Sequence, residues 1–343
     1  MPSSVEPHAP QGAATRAPVE RADLVPAFFM GLLLLGSILL AMASARIYQA
    51  EVGPIFERPD DPVNAVFYLG LVIVFTFVIL LVARYGFARL IRYIFLSFVL
   101  LTLVYVSQPL AAIGLRAIVG ADPSLFSSAA TGIVTGSNVA ALVVAFLVTS
   151  LLYVHPEWWV IDVAGVAVAA GAAAIFGISF GLLPALLLLV AFALYDAIAV
   201  YRTKHMIDLA DTVLDMRLPI ILVVPRKRGY SFLAETKRLK ESVEKEEPRD
   251  AMFMGLGDIV IPAVLVVSSL AFLPADPALL GLPGNWVVAL AALAGTMAGY
   301  AVLMWFVLSG RPQAGLPSLN GGTILGFFAA LLPLYGVAPL LPI

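Results

Sequence analysis

Two aspartates stand where charge is costly. Asp258 follows Met254-Gly255-Leu256-Gly257 near the start of an apolar run, Ala251 to Pro274, and Asp196 follows Tyr195 near the end of the preceding run, Leu182 to Tyr201. The later run is about 24 residues long, enough to cross a bilayer as a helix, which takes roughly 20. An aspartate inside such a helix costs about 2.5–3.5 kcal/mol on insertion scales, so it is rare and usually functional. Gly255 and Gly257 add a second cost, each about 0.8–1 kcal/mol worse than alanine in a helix interior. They leave the backbone beside the carboxyl group bare and loosely wound, open to water and to another peptide backbone. One acid on each of two consecutive membrane helices suggests that the acids meet. Acids that meet offer two chemistries. They can share one proton, so that one activates water while the other protonates a peptide carbonyl. Alternatively they can relay protons or cations as part of a transporter or ion pathway. The Gly-Leu-Gly before Asp258 favours the first, because a relay has no need of bare backbone.

The elements that carry these acids follow from composition. The chain has 343 residues, 61% hydrophobic and 12% charged, with a mean hydropathy of +1.00. That excludes an ordinary soluble domain and indicates an all-α polytopic membrane protein. The formal net charge of -2 implies no attraction to nucleic acid. Cysteine is absent, which excludes thiolate catalysis, disulfides and thiolate metal sites. His8, His155 and His205 lie far apart and form no HExxH pair, and neither a metal nor any other cofactor is expected.

Residues 1–22, rich in Pro, Ala and polar residues, read as a disordered tail rather than a cleaved signal peptide. Nine spans follow: roughly 24–45, 64–86, 90–113, 129–153, 158–178 and 182–201, then 251–274, 285–309 and 317–341. The polar interruption 202–250 divides a six-helix part, 23–201, from a three-helix part, 251–343. Nine spans put the termini on opposite faces. Of the 20 Lys and Arg, only Arg46, Arg58 and Arg116 fall on the face away from the N-terminus and the 202–250 loop. The positive-inside rule therefore places the N-terminus and that loop in the cytoplasm and the C-terminus outside. Asp196 then lies about five residues before the end of span six, and Asp258 about seven residues into span seven. At 1.5 Å per residue both sit roughly 8–10 Å below the cytoplasmic edge, the equal depth that a carboxylate dyad requires.

Within the loop, Leu218-Pro219-Ile220-Ile221-Leu222-Val223-Val224-Pro225 is a short β-branched run bounded by prolines. It reads as an edge strand, with Ile220, Ile221, Leu222 and Val223 able to pair with an extended substrate by strand addition. Packing on the helix ends is the competing role. Ile207 to Leu218 reads as a helical extension past span six, and 226–250 as a mixed-charge run.

Tyr195-Asp196 in one helix and Gly255-Leu256-Gly257-Asp258 in the next resemble the motifs of the presenilin and signal peptide peptidase family of intramembrane aspartyl proteases, and the archaeal members in particular. The family's third motif, Pro-Ala-Leu and often a further Pro, opens its last helix; here Ala314-Gly315-Leu316-Pro317 stands at that place, with Ala for the first Pro and Gly for Ala. The resemblance implies that Asp196 and Asp258 are the catalytic pair, that Gly315, Leu316 and Pro317 pack beside them, and that these three with Tyr195, Gly255, Leu256 and Gly257 position substrate. It implies transmembrane peptides or proteins as substrates within the lipid bilayer, and is compatible with a homo-oligomer.

Other residues are weighed and set aside. Gly177-Ile178-Ser179-Phe180-Gly181 fits G-x-S-x-G, but lies at a helix–helix turn rather than the strand–turn–helix that a serine nucleophile needs. Asp162, just after Trp158-Trp159, reads as a helix cap or interfacial residue, with a third acid near the dyad as the alternative. Asn320 reads as an interhelical hydrogen bonder and Gly321-Gly322 as a site of close helix packing.

Overall fold

The computed structural model describes residues 21–51, 53–85, 88–119, 136–200, 221–227, 229–232, 251–279, 281–309 and 313–340. Among them are helices α1 (Arg21–Glu51), α2 (Val63–Arg84), α3 (Ala88–Val119), α4 (Gly136–Val154), α5 (Trp158–Ser179) and α6 (Leu182–Ile198), strands β1 (Ile221–Pro225) and β2 (Ala251–Gly255), and helices α7 (Gly257–Phe272), α8 (Gly284–Leu308) and α9 (Gly315–Tyr335). By length and composition, α1, α3, α4, α5, α8 and α9 are long and apolar enough to cross a membrane; α2, α6 and α7 hold shorter apolar stretches. Long apolar helices satisfy their own backbone, which is the condition for a chain surrounded by lipid. Large apolar side chains accordingly face outward, among them Val66, Phe67, Ile73 and Phe77 on α2. Residues 1–20 of the expected tail, Ile220, the helical extension 207–218 and most of 226–250 lie outside the described residues; residues 21 and 22, assigned to the tail by sequence, open α1.

The seventh span differs from expectation. Ala251 to Gly255 is not helical. It is a strand that pairs antiparallel with β1, Val223 opposite Phe253 and Leu222 opposite Met254. Helix begins only at Gly257, so Asp258 stands in the first turn of α7 rather than seven residues into a helix. Gly255 and Gly257 flank this change from strand to helix, where the sequence had suggested a loosely wound helix. An apolar run of four to eight residues is compatible with either state, and the pairing that decides it comes from a distant segment. The expected edge strand is therefore real over Ile221–Pro225 but has a partner on one side.

Helix α5 is central, packing against α1, α3, α7 and β1. Helices α8 and α9 approach closely through Gly295, Gly299, Gly322 and Gly326, where any side chain would meet the facing backbone. Spaced four apart on each helix, these small residues let two backbones come together in lipid. Thr296 and Thr323 share a hydroxyl hydrogen bond of 2.7 Å in the same seam. Asn320 reaches from α9 to α6, its Nδ2 donating to the Leu189 carbonyl at 2.8 Å. At the α5–α6 turn, the residues of G-x-S-x-G have packing roles. Gly177 lies against Val267 of α7. The Ile55 N–H donates to Ser179 Oγ at 2.9 Å, and the Gly181 N–H donates to the Pro59 carbonyl at 2.8 Å. Between them Phe180 is fully buried, its ring 5.1 Å from that of Phe56. The connection between α1 and α2 is thereby fastened over this turn.

Candidate active site

Three helix ends converge on one point. Asp196 lies near the end of α6 and is buried, with 5% of its surface exposed. Asp258 lies in the first turn of α7 and is half-buried. The first turn of α9 closes the site. Its Leu316 N–H donates to Asp196 Oδ2 at 3.0 Å, and the Gly315 backbone contributes to the same carboxylate. Gly315 also faces the other acid: a methyl group there would lie 3.1 Å from Asp258 Oδ2 and 3.2 Å from its Cγ and Oδ1. The start of α9 thus donates to one carboxylate and, at Gly315, leaves only the room of a missing side chain beside the other.

Local sequence explains the convergence. Helix α9 begins with Pro317 in its first turn, where a missing N–H costs nothing. The first N–H groups of a helix have no intrahelical partner and carry partial positive charge. At α9 they point to Asp196. At α7 the same end-charge supports Asp258, a favourable placement worth about 0.3–1 kcal/mol. Gly315 has no side chain to hold the Asp258 carboxylate away from the α9 backbone. A residue with a Cβ would have to displace it by a few tenths of an ångström.

The residues singled out by sequence separate into two groups. Asp196, Asp258, Gly255, Gly315 and Leu316 come together; a methyl group on Gly255 would lie 3.6 Å from Asp258 Oδ2. Pro317 follows in the same turn of α9, and Leu256 caps α7 with its side chain buried. Gly257 is exposed beside Asp258. Tyr195 turns elsewhere: it is 51% exposed and borders a hollow of about 210 Å³ between α6 and α2.

Asp162 corrects an expectation. It does not cap α5, whose N-cap residue is Glu157. Its Oδ1 instead accepts the Val223 N–H at 2.7 Å, on the edge of β1 away from β2. The contact joins residues 61 positions apart, and only the acid's presence in an apolar helix hinted at it. Glu157 also turns to the loop, accepting from Ser231 Oγ at 2.6 Å and from the Phe232 N–H at 3.1 Å.

The fold and this convergence have counterparts among known proteins. The family model for signal-peptide peptidase, presenilin aspartyl protease, matches residues 30–335. A presenilin family intramembrane aspartate protease in space group C222 is 36% identical in sequence, with a TM-score of 0.62 over 90% of this chain and 99% of that one. A presenilin family intramembrane aspartate protease in space group P2 gives 36% identity and a TM-score of 0.61 over 91% of this chain and 99% of that one. Comparison with curated proteins finds no significant match. None of these findings supports a proton or cation relay. With the family model spanning nearly the whole chain and a solved member so similar, the chain belongs to the signal-peptide peptidase and presenilin family of intramembrane aspartyl proteases.

Proposed function

We propose that Asp196 and Asp258 are the catalytic dyad of this protease and that the Gly315–Leu316 peptide sets their geometry. The observation carrying the proposal is that the Leu316 N–H donates to Asp196 while Gly315 stands where any side chain would press on the Asp258 carboxyl group. Two carboxyls held close together away from water do not both ionise, so the pair shares one proton. The ionised member takes a proton from water, which attacks the scissile carbonyl. The neutral member hydrogen-bonds the carbonyl oxygen and protonates it, giving a tetrahedral diol with no covalent enzyme intermediate. The proton then passes to the leaving amine. The pair titrates as a unit, so the roles belong to the dyad rather than to one residue.

A substrate helix must unwind to expose its peptide bonds. A hollow of about 430 Å³ between α2, α3 and α5 suits its intact part, because the lining is largely apolar and ends on Leu256. The sheet suits the unwound part by strand addition. The outer edge of β1 is a poor template: Val223 has given its N–H to Asp162, and Pro225 has none to give. The outer edge of β2 presents Ala251, Phe253 and Gly255, and leads directly to Asp258. The extended substrate would join there.

All nine helices are taken to cross the membrane, with the N-terminus and the 202–250 loop cytoplasmic. Helix α7 is short because Asp258 stands at its start, where strand and helix meet below the surface. Non-helical backbone is tolerated at such depth only when protein buries it, and Leu222, Val223, Met252 and Met254 are buried.

Purified protein should cleave a reporter peptide containing a transmembrane segment. Activity should follow a bell-shaped pH profile, because only the singly protonated pair is competent, and diol-mimicking analogues should block it. A flat profile together with no inhibition would refute the shared-proton mechanism. Ion-flux assays on the same preparation should remain at background.

A further inference from the structure

Helix α5 supplies no group to the dyad, yet it holds the sheet at two points. The first is Asp162, 7% exposed, whose carboxylate accepts the Val223 N–H at 2.7 Å. The second lies one turn further on. Gly165 leaves a hollow filled jointly by β1 and the Gly-Leu-Gly segment: a methyl group there would lie 2.8 Å from Leu222 Cδ2 and 3.2 Å from Leu256 Cδ2. Leu222 is fully buried and Leu256 nearly so.

These contacts fix one object. Leu222 and Val223 belong to β1, which pairs with Met254 and Phe253 of β2. Strand β2 ends at Gly255, beside the Asp258 carboxylate, and Leu256 caps the helix that carries Asp258. A shift of the sheet along α5 would therefore move any strand joined to β2 relative to the dyad. Residues along a strand are spaced about 3.4 Å apart and successive carbonyls point to opposite sides, so an ångström-scale shift of the sheet changes which peptide carbonyl is best placed for the acids.

We propose that Asp162 and Gly165 are positioning residues that set the height of the sheet against the dyad and so select which peptide bond is cut. The inference rests on the reading that substrate joins β2. Asp162 acts through a hydrogen bond rather than through charge, because its partner is a neutral backbone N–H. Gly165 acts through the absence of a side chain.

The test uses the full chain in liposomes with a reporter transmembrane peptide, the products being mapped by mass spectrometry and the folded fraction measured in parallel. Asp162→Ala should slow cleavage about tenfold or more, as misplacement on the ångström scale does, and move the principal cut by at least one residue. Asp162→Asn retains an acceptor oxygen for the Val223 N–H and should cut at the wild-type bond. Gly165→Ala improves helix propensity but presses on Leu222 and Leu256, and should also move the cut. A role in stability alone would lower the folded fraction and leave the cleavage position unchanged. Wild-type cleavage positions in both Asp162→Ala and Gly165→Ala would overturn the proposal, as would Asp162→Asn behaving like Asp162→Ala. Should Asp162→Ala fail to fold, Gly165→Ala decides: a moved cut sustains the proposal and an unmoved cut overturns it. A fault in the strand-addition reading shows separately, because Phe253→Pro would then cleave normally.

Discussion

Asp196→Asn and Asp258→Asn should each reduce cleavage of a transmembrane reporter by at least about a hundredfold, the scale of a lost general acid or base. Both should still fold. In Asp196→Asn the amide oxygen can still accept the Leu316 N–H, which is 3.0 Å from Oδ2 in the wild type. In Asp258→Asn a planar group of nearly the same size faces Gly315, so packing is kept. Neither variant can pass a proton from water to a peptide carbonyl. The thermal midpoint should therefore change little while turnover disappears, and the double variant should be no worse than either single one, since the pair acts as a unit. Near-normal cleavage by either variant would remove its aspartate from the mechanism.

Proline substitution should distinguish the two edges of the sheet. Val223 points its N–H away from β2, and backbone direction alternates along a strand, so Ile221 does the same on β1 and Phe253 does so on β2. Proline at Phe253 removes an outward donor while the β1–β2 hydrogen bonds, made by the alternate residues, keep their donors. If substrate joins β2, Phe253→Pro should lower cleavage about tenfold or more, the effect of at least one lost hydrogen bond with some strand distortion. Ile221→Pro should be mild, because the first residue of a strand tolerates proline. If β1 were the template, the order would reverse. Cleavage rate and thermal midpoint measured together settle it: losses that merely track the midpoint would show that the sheet serves stability alone.

The parts of this protein that could be read from sequence are those whose cost is local. An aspartate in an apolar run stands out wherever it lies, so Asp196 and Asp258 were visible before any fold was known. Helix-length apolar runs gave most of the helices for the same reason, since lipid leaves the backbone few alternatives. Ala314-Gly315-Leu316-Pro317 was found despite two departures from its family motif; in the structure a methyl group on Gly315 would lie 3.1 Å from Asp258 Oδ2. What escaped notice depends on partners far along the chain. Strand β2 looked like the first turns of a membrane helix, because Met252, Phe253 and Met254 are apolar and their partner strand lies about 30 residues earlier. Asp162 was visible as an acid, but nothing near it in sequence announced Val223. Gly165 carried no signal, since a glycine in a small-residue helix is ordinary until Leu222 and Leu256 fill the space beside it.

The fastening of the α1–α2 connection over the α5–α6 turn bears on the bilayer as an electrical barrier. A protease that brings water to buried carboxylates opens half of a pore. Here α6 rises about 21 Å from Leu182, beside that fastening, to Asp196. At the Leu182 end Phe180 is fully buried, the Ile55 and Gly181 N–H groups are bound, and Ser268 Oγ holds the Phe180 carbonyl at 2.9 Å. Among the described residues this packing closes the Leu182 end, so water reaching a hydrolytic dyad would meet a stopper there. Vesicles carrying the protein should accordingly hold an imposed proton gradient as long as vesicles without it, even during turnover. A hydrolytic site so closed would be a cul-de-sac, and the membrane around it would keep its voltage.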